Sequence, residues 1–244
     1  MQQTYKRPEA LLDKPNAFCP GCGHGIISRV LAEVIDELEL REKAALVVPI
    51  GCSIQLEWAM NLDMASGLHG RACSVATGLK RCRPEMPVIV YQGDGDAAAI
   101  GLSETLHAAA RGEALTCIMV NNSIYGMTGG QMSPTTLPDM VTTTSQSGRD
   151  TDLTGKPLKM AELVATMESA SFVVRASVTS PMRIMELKRI VKKALELQIN
   201  EGKYSFIEVL APCPVGWKMA PDASMKFIEN ASEQYFKLGV LKDA

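Results

Sequence analysis

Aromatic residues are scarce, at 5% of the 244 residues, which argues against an aromatic stacking surface. Basic blocks are absent and the formal net charge is −2, so the electrostatic footprint of a nucleic-acid partner is missing. No apolar run approaches the roughly 20 residues that cross a bilayer, so no membrane span is expected. Residues 1–13 are polar and mixed in charge and lack the apolar segment of a secretory leader, which points to a cytoplasmic location. Neither an internal repeat nor a linker is visible. A chain of this length is accommodated by one large α/β domain spanning residues 1–244.

What is present is an ordinary globular composition, 46% hydrophobic and 21% charged, with 14 methionines that suit an adaptable aliphatic core. Seven cysteines are an odd number, poorly suited to a disulfide set. In a reducing compartment clustered cysteines bind metal or do redox chemistry.

Helix and strand patterns alternate along the chain. Ile26, Ile27, Val30, Leu31, Val34, Ile35 and Leu38 recur at helical spacing and predict a helix over residues 25–40. Buried strands are predicted at 46–50, 88–91, 115–120, 172–178 and 204–210, with helices at 97–111, 159–168 and from Pro181 to about residue 199. Residues 123–157 show no apolar period, and an unstructured stretch of that length in a compact domain is usually functional or flexible. The segment beyond Pro212, with its Pro, Gly and Trp217, reads as an irregular tail. Alternation of this kind implies a doubly wound, mostly parallel sheet with helices on both faces, whose ligands sit beyond the carboxyl ends of the strands.

Gly51-Cys52, Gly93-Asp94-Gly95-Asp96, Asn121-Asn122 and Cys213 each follow a predicted strand. In the second of these the glycines admit close approach of backbone amides to a phosphate, and the helix starting near Ala97 favours anionic charge. Asp94 supplies a carboxylate oxygen and Asn122 an amide oxygen, the hard donors that Mg²⁺ takes together with phosphate oxygens. Gly-Asp-Gly and Asn-Asn are each common turn sequences when met alone; their joint placement one strand–helix–strand unit apart is the informative feature. Cys19-x-x-Cys22 has the short spacing of a soft-metal site, and with Cys52 and Cys213 it makes four thiolates that fit either tetrahedral zinc or a 4Fe–4S cluster. Cys73, Cys82 and Cys117 read as structural. His107, in the middle of a helix, reads as a packing histidine; His24 is placed for capping or catalysis; Arg71 suits an anion or a surface ion pair.

These motifs resemble the β subunits of 2-oxoacid:ferredoxin oxidoreductases, which bind thiamine diphosphate. The resemblance rests on residues 18–25 (FCPGCGHG), Gly51-Cys52-Ser53, His69-Gly70-Arg71, residues 93–96, residues 121–131 (NNSIYGMTGGQ) and Ala211-Pro212-Cys213-Pro214, and runs from about residue 5 to Asp243. It implies that Asp94, Asn122 and the Ile124 carbonyl hold Mg²⁺, and that Cys19, Cys22, Cys52 and Cys213 hold a 4Fe–4S cluster. It further implies that Gly51, Cys52, Ser53, His69, Gly93, Asp94, Gly95, Asp96, Asn122, Ile124, Tyr125, Gly126, Met127 and Thr128 line the cofactor, with His69 and Arg71 as catalytic candidates. Gln55 and Met127 would face the substrate. Neither carries the positive charge that a second carboxylate would call for, which favours an apolar, branched 2-oxoacid of the 2-oxoisovalerate type over 2-oxoglutarate; 2-oxoglutarate- and pyruvate-specific members of the same family are the alternatives. The blocks Tyr5-Lys6-Arg7-Pro8-Glu9, residues 91–96 and Gly216-Trp217-Lys218-Met219 look most like the branched-chain enzymes. By resemblance the reaction is CoA-dependent oxidative decarboxylation, with electrons passed to ferredoxin. The glutamate that activates the aminopyrimidine would come from an α subunit, and γ and ferredoxin-like δ subunits would complete the assembly. The competing readings are a non-redox thiamine-dependent decarboxylase or lyase with a zinc site, and a zinc-stabilised interaction module.

Overall fold

The computed structural model describes residues 6–244; Tyr5 of the opening block, and residues 1–4 before it, lie outside the described residues. The elements in chain order are α1 (Gly23–Glu37), β1 (Ala45–Val48), a 3₁₀ turn (Cys52–Trp58), β2 (Asp63–Ser66), α2 (Ala72–Cys82), β3 (Val88–Gly93), a π turn (Asp96–Ile100), α3 (Leu102–Arg111) and β4 (Thr116–Asn121). There follow a small hairpin, β5 (Ile124–Tyr125) and β6 (Gln131–Met132), then α4 (Thr151–Thr154), α5 (Met160–Ala165), β7 (Ala170–Ser177), α6 (Pro181–Glu201) and β8 (Tyr204–Leu210). The chain ends with α7 (Pro214–Trp217), α8 (Pro221–Phe227), a π turn (Ile228–Ser232), α9 (Glu233–Tyr235) and β9 (Gly239–Asp243).

Seven strands form the main sheet in the order β2-β1-β3-β4-β8-β7-β9. All neighbours pair in parallel except β7 with β9, so the sheet is mostly parallel as expected. Strand side chains alternate between two cores. Leu46, Val48, Ile89, Tyr91, Ile118, Val120, Ile207 and Val209 face α1 and α6. Val47, Val88, Val90, Cys117, Met119 and Phe206 face α2, α3 and α5. A sheet covered on both faces needs apolar residues at every strand position, which is why these strands read as continuous apolar runs.

From β1 the chain goes outward to β2 and returns to β3 on β1's other side, so the crevice between β1 and β3 is a switch point, where ligands bind in this architecture. Three departures from the sequence reading matter there. The helix expected over residues 97–111 is broken: Gly101 N donates to Asp96 O at 2.7 Å, closing a π turn before α3 begins. The stretch 123–157 contains the hairpin and α4 and is threaded by buried hydrogen bonds. The tail is not irregular. Pro214 and Pro221 occupy the first turns of α7 and α8, where a missing N–H costs nothing, and Trp217 and Phe227 join a third small core around Leu210, Ile228 and Phe236. The prolines that suggested an irregular tail are helix starts.

The His69-Gly70 loop meets the π turn backbone to backbone. Gly70 has φ +76°, and a Cβ on Gly101 would strike the Gly70 carbonyl. Gly101→Ala should therefore cost about 2 kcal/mol through overpacking, a fall in Tm of about 4–8 °C; thermal unfolding checks this, and an unchanged Tm contradicts the contact.

Candidate functional site

The carboxyl ends of β1, β3 and β4 and the first hairpin strand surround one cavity. Its lining includes Gly51, Cys52, Ser53, His69, Gly93, Asp94, Gly95, Asp96, Asn122, Ile124, Tyr125, Gly126, Met127 and Thr128, joined by His24 and Ile50. Every residue expected to line the cofactor is there. Gly95 lies under the Tyr125 ring, which a Cβ would strike. Two larger hollows of about 670 Å³ open at the other end of the strands, one lined largely by charged side chains and the other mixing charged residues with Leu38, Leu40, Met86, Pro87 and Ile199.

Asp94 is buried. Its Oδ1 accepts from Gly95 N at 2.9 Å, and its Oδ2 accepts from Ser133 Oγ at 3.0 Å and from Thr135 Oγ1. Burial pushes its carboxyl up to about 7, against the pull of these donors. Asp96 performs a different task. Its Oδ1 binds His69 Nδ1 and accepts from Gly70 N at 2.9 Å, while Oδ2 accepts from Gly93 N at 3.3 Å, stitching two loops together. Asn122 Oδ1 accepts from Ile124 N at 3.2 Å, an Asx turn that fixes the loop, and the Asn122 carbonyl accepts from Trp217 Nε1 at 2.9 Å.

A second cavity of about 250 Å³ shares a wall with the first. His24, Cys52, Asn122, Gly126 and Met127 line both. Cys19, Cys22, Cys52 and Cys213 all face this second space. The approach of the two termini is explicit: Gly23 N donates to Pro212 O at 3.0 Å, and a Cβ on Gly23 would meet Ala211 Cβ at 2.6 Å. A Cβ on Gly126 would stand 3.3 Å from Cys213 Sγ and 3.7 Å from Cys52 Sγ; one on Gly216 would stand 2.9 Å from Cys213 Sγ. The sulfurs thus occupy room that only glycine leaves. Burial pushes the Cys22 thiol up to about 12 and Cys52 to about 11, and burial raises Cys213 too, with neighbouring cysteines adding to each shift. Among the described residues no three His, Cys, Asp or Glu side chains are already closed at metal-holding geometry.

The remaining candidates separate. Arg71 does not line either cavity; it pairs with Glu104 at 2.9 Å and donates to Ile100 O at 3.1 Å. Gln55 lines the cysteine cavity and not the Asp94 cavity. Thr128 Oγ1 donates to Gln131 Oε1 at 2.7 Å. His24 is not a cap: Cys22 holds that position, and His24 is buried with Nδ1 2.8 Å from the Tyr91 hydroxyl, its pKa lowered by burial to about 4. His107 is exposed, which corrects the packing reading; α3 buries Thr105, Ala108 and Ala109, and His107 falls on the opposite face. Cys73 and Cys117 are buried 3.9 Å apart in the core, while Cys82 is exposed.

Sequence reasoning missed the groups beneath the site. Asn121 Nδ2 donates to Glu208 Oε1 at 2.7 Å; Glu208 Oε2 accepts from Ala161 N at 3.1 Å and pairs with Arg175 at 2.9 Å; Arg175 also pairs with Glu162. A charge inside each of two apolar strands, VVRAS and SFIEV, was the available signal, since buried charges occur only when paired.

A model of the thiamine pyrophosphate enzyme C-terminal TPP-binding domain matches residues 51–209. The ketoisovalerate oxidoreductase subunit VorA of Methanothermobacter thermautotrophicus is 42% identical over 99% of this chain and 53% of its own length. The 2-oxoglutarate synthase subunit KorB of the same organism is 41% identical over 93% of this chain and 77% of its own. Among solved structures, 2-oxoglutarate:ferredoxin oxidoreductase from Magnetococcus marinus superposes with TM-score 0.80 at 26% identity, covering 99% of this chain and 86% of that one. The chain spans about half the length of the ketoisovalerate relatives.

Arg175→Met should strand the Glu208 charge and cost about 3–5 kcal/mol. Urea unfolding tests this, and a loss under about 1 kcal/mol would mean the pair does not support the Asn121 loop.

Proposed function

The chain belongs to the thiamine-pyrophosphate-binding subunits of the 2-oxoacid:ferredoxin oxidoreductases, and on that premise we propose that it binds thiamine diphosphate, Mg²⁺ and a 4Fe–4S cluster for the oxidative decarboxylation of a branched 2-oxoacid. The observation that carries the reading is the shared wall: the cavity holding Asp94, Asn122 and Ile124 abuts the cavity holding four cysteines.

The donor sets fit. Asp94 and Asn122 offer hard oxygens on neighbouring loops, and the Ile124 carbonyl is the third protein ligand of this assignment. The glycines of residues 93–95 let the backbone approach a diphosphate. The thiols of Cys22 and Cys52 hold their protons against ordinary base, and an iron centre among them would displace those protons, as soft-metal sites do. When bound, thiamine diphosphate supplies the electron sink for decarboxylation and the cluster supplies one-electron acceptance. This chain's own work is to orient and to insulate. Asp96 fixes His69 at the cavity edge, Tyr125 covers Gly95, and Met127 and His24 separate the two cavities. Ferredoxin is the proposed acceptor of the electrons and coenzyme A of the acyl group.

The cofactor cavity measures about 80 Å³, far below the ~300–1,000 Å³ of a complete small-molecule site. That supports a site finished by an α subunit carrying the pyrimidine-binding domain and its glutamate, with γ and ferredoxin-like δ subunits beside it. The 42% identity to a ketoisovalerate oxidoreductase subunit supports a 2-oxoacid without a second carboxylate, such as 2-oxoisovalerate. The 41% identity to a 2-oxoglutarate synthase subunit makes 2-oxoglutarate the second reading. No helix among the described residues is long and apolar enough to cross a membrane; the cytoplasm is the proposed setting.

In the purified complex, Asp94→Ala should abolish the rise in Tm produced by thiamine diphosphate with Mg²⁺; an undiminished rise refutes the ligand assignment. Cys52→Ser should lose iron, and full iron content with normal electron transfer removes Cys52 from the set. Turnover compared across 2-oxoisovalerate, 2-oxoglutarate, pyruvate and indolepyruvate should be fastest with the first; preference for 2-oxoglutarate establishes the second reading.

A further inference from the structure

We infer that the turn Ser133-Pro134-Thr135-Thr136 is a positioning device for the metal site, holding Asp94 and the Asn122 loop at a fixed separation through a relay of buried hydroxyls. The inference rests on the reading of Asp94 and Asn122 as metal ligands.

The turn touches both arms of the site. On one side Ser133 Oγ and Thr135 Oγ1 both donate to Asp94 Oδ2, and the two hydroxyls lie 2.9 Å apart. On the other side Thr136 Oγ1 donates to the carbonyl of Ser123 at 2.5 Å, and Ser123 is the residue between Asn122 and Ile124. Thr136 Oγ1 also accepts from Ser133 N at 2.8 Å, so one hydroxyl ties the turn to itself and to the ligand loop. Ser133, Thr135 and Thr136 are all buried, at 2%, 0% and 0% exposure, where water does not compete for these bonds.

The turn is itself held. Buried Arg149 donates from Nη1 to the carbonyls of Ser133 at 3.4 Å, Pro134 at 3.1 Å and Thr136 at 2.6 Å, and from Nε to Gly155 O at 3.2 Å. A guanidinium spent on main-chain carbonyls fixes a loop that has no apolar period of its own. Two hydroxyls on Oδ2 and the Gly95 amide on Oδ1 hold the carboxylate from both oxygens and leave about one of its lone-pair sites, on Oδ1, for a cation. Mg²⁺ demands near-ideal geometry and Ca²⁺ tolerates irregular geometry, so a loosened carboxylate harms Mg²⁺ binding most. These are positioning residues, acting through Asp94.

The test measures, in the purified complex, the concentration of Mg²⁺ and separately of Ca²⁺ that half-saturates thiamine diphosphate binding, read by thermal shift and titration calorimetry. Thr135→Val keeps shape and removes the donor. It should raise the Mg²⁺ requirement about tenfold, the scale of one charge-assisted hydrogen bond, and the Ca²⁺ requirement by a smaller factor. Thr135→Ser should return the Mg²⁺ requirement to within about twofold of the parent. If Thr135→Val does not fold, Ser133→Ala is read by the same criteria. An unchanged Mg²⁺ requirement, or equal losses for both ions, overturns the positioning role. Asp94→Ala separates the two claims. Loss of binding there with no effect of Thr135→Val ends only this inference, whereas no effect of Asp94→Ala ends the metal assignment on which it stands.

Discussion

Parallel pairing of β1, β3, β4 and β8 is the constraint on which the site depends. Because these strands run the same way in adjoining register, the residues that follow each of them arrive at one rim. Gly51-Cys52, Gly93 to Asp96, Asn121-Asn122 and Cys213 are spread over more than half of the chain, yet the ladder leaves them no other place to be. An antiparallel arrangement of the same strands would divide them between opposite ends. The apolar alternation that packs α1 and α6 on one face and α2, α3 and α5 on the other is thus indirectly what assembles the chemistry.

Polar contacts then convert a shared rim into a fixed geometry. Asp96 fastens the His69-Gly70 loop to the Gly93 turn. Glu208 fastens Asn121 from beneath, with Arg175 supplying the counter-charge. Trp217 bridges from the cysteine-bearing tail to the Asn122 carbonyl. Asp96, Glu208 and Arg175 are buried groups that would be costly unpaired, so the low-dielectric interior that makes their bonds specific also makes them hard to break; Trp217 is half-buried. The two cavities are held in one relation by the same means.

Fold class and the residues that gather at the sheet rim were legible because both are local signals. Buried strands announce themselves as apolar runs, and β8 at Tyr204–Leu210 matches its expected limits. The Gly-Asp-Gly turn and the Cys-x-x-Cys pair are compact enough to read directly. What escaped was long-range or ambiguous. Ser133 and Thr135 bond a carboxylate some 40 positions earlier in the chain, and nothing local to them says so. The π turn at Asp96 coincides with the close backbone contact of Gly70 with Gly101, a long-range contact that the composition of the alanine run does not reveal. The tail misled because proline signals both loops and helix starts; only the third core around Leu210 and Phe236 decides between them. The solvent-facing placement of His107 was a matter of helical phase.

The most direct test follows electrons between the two cavities. The complex, prepared without oxygen and loaded with thiamine diphosphate and Mg²⁺, is mixed with 2-oxoisovalerate while cluster absorbance is recorded, in the parent and in Asp94→Ala. Adjacent, cooperating sites predict bleaching in the parent and none in the variant, whose cluster still bleaches with dithionite. Equal bleaching in both, or a parent cluster that dithionite reduces and no 2-oxoacid does, would contradict the account.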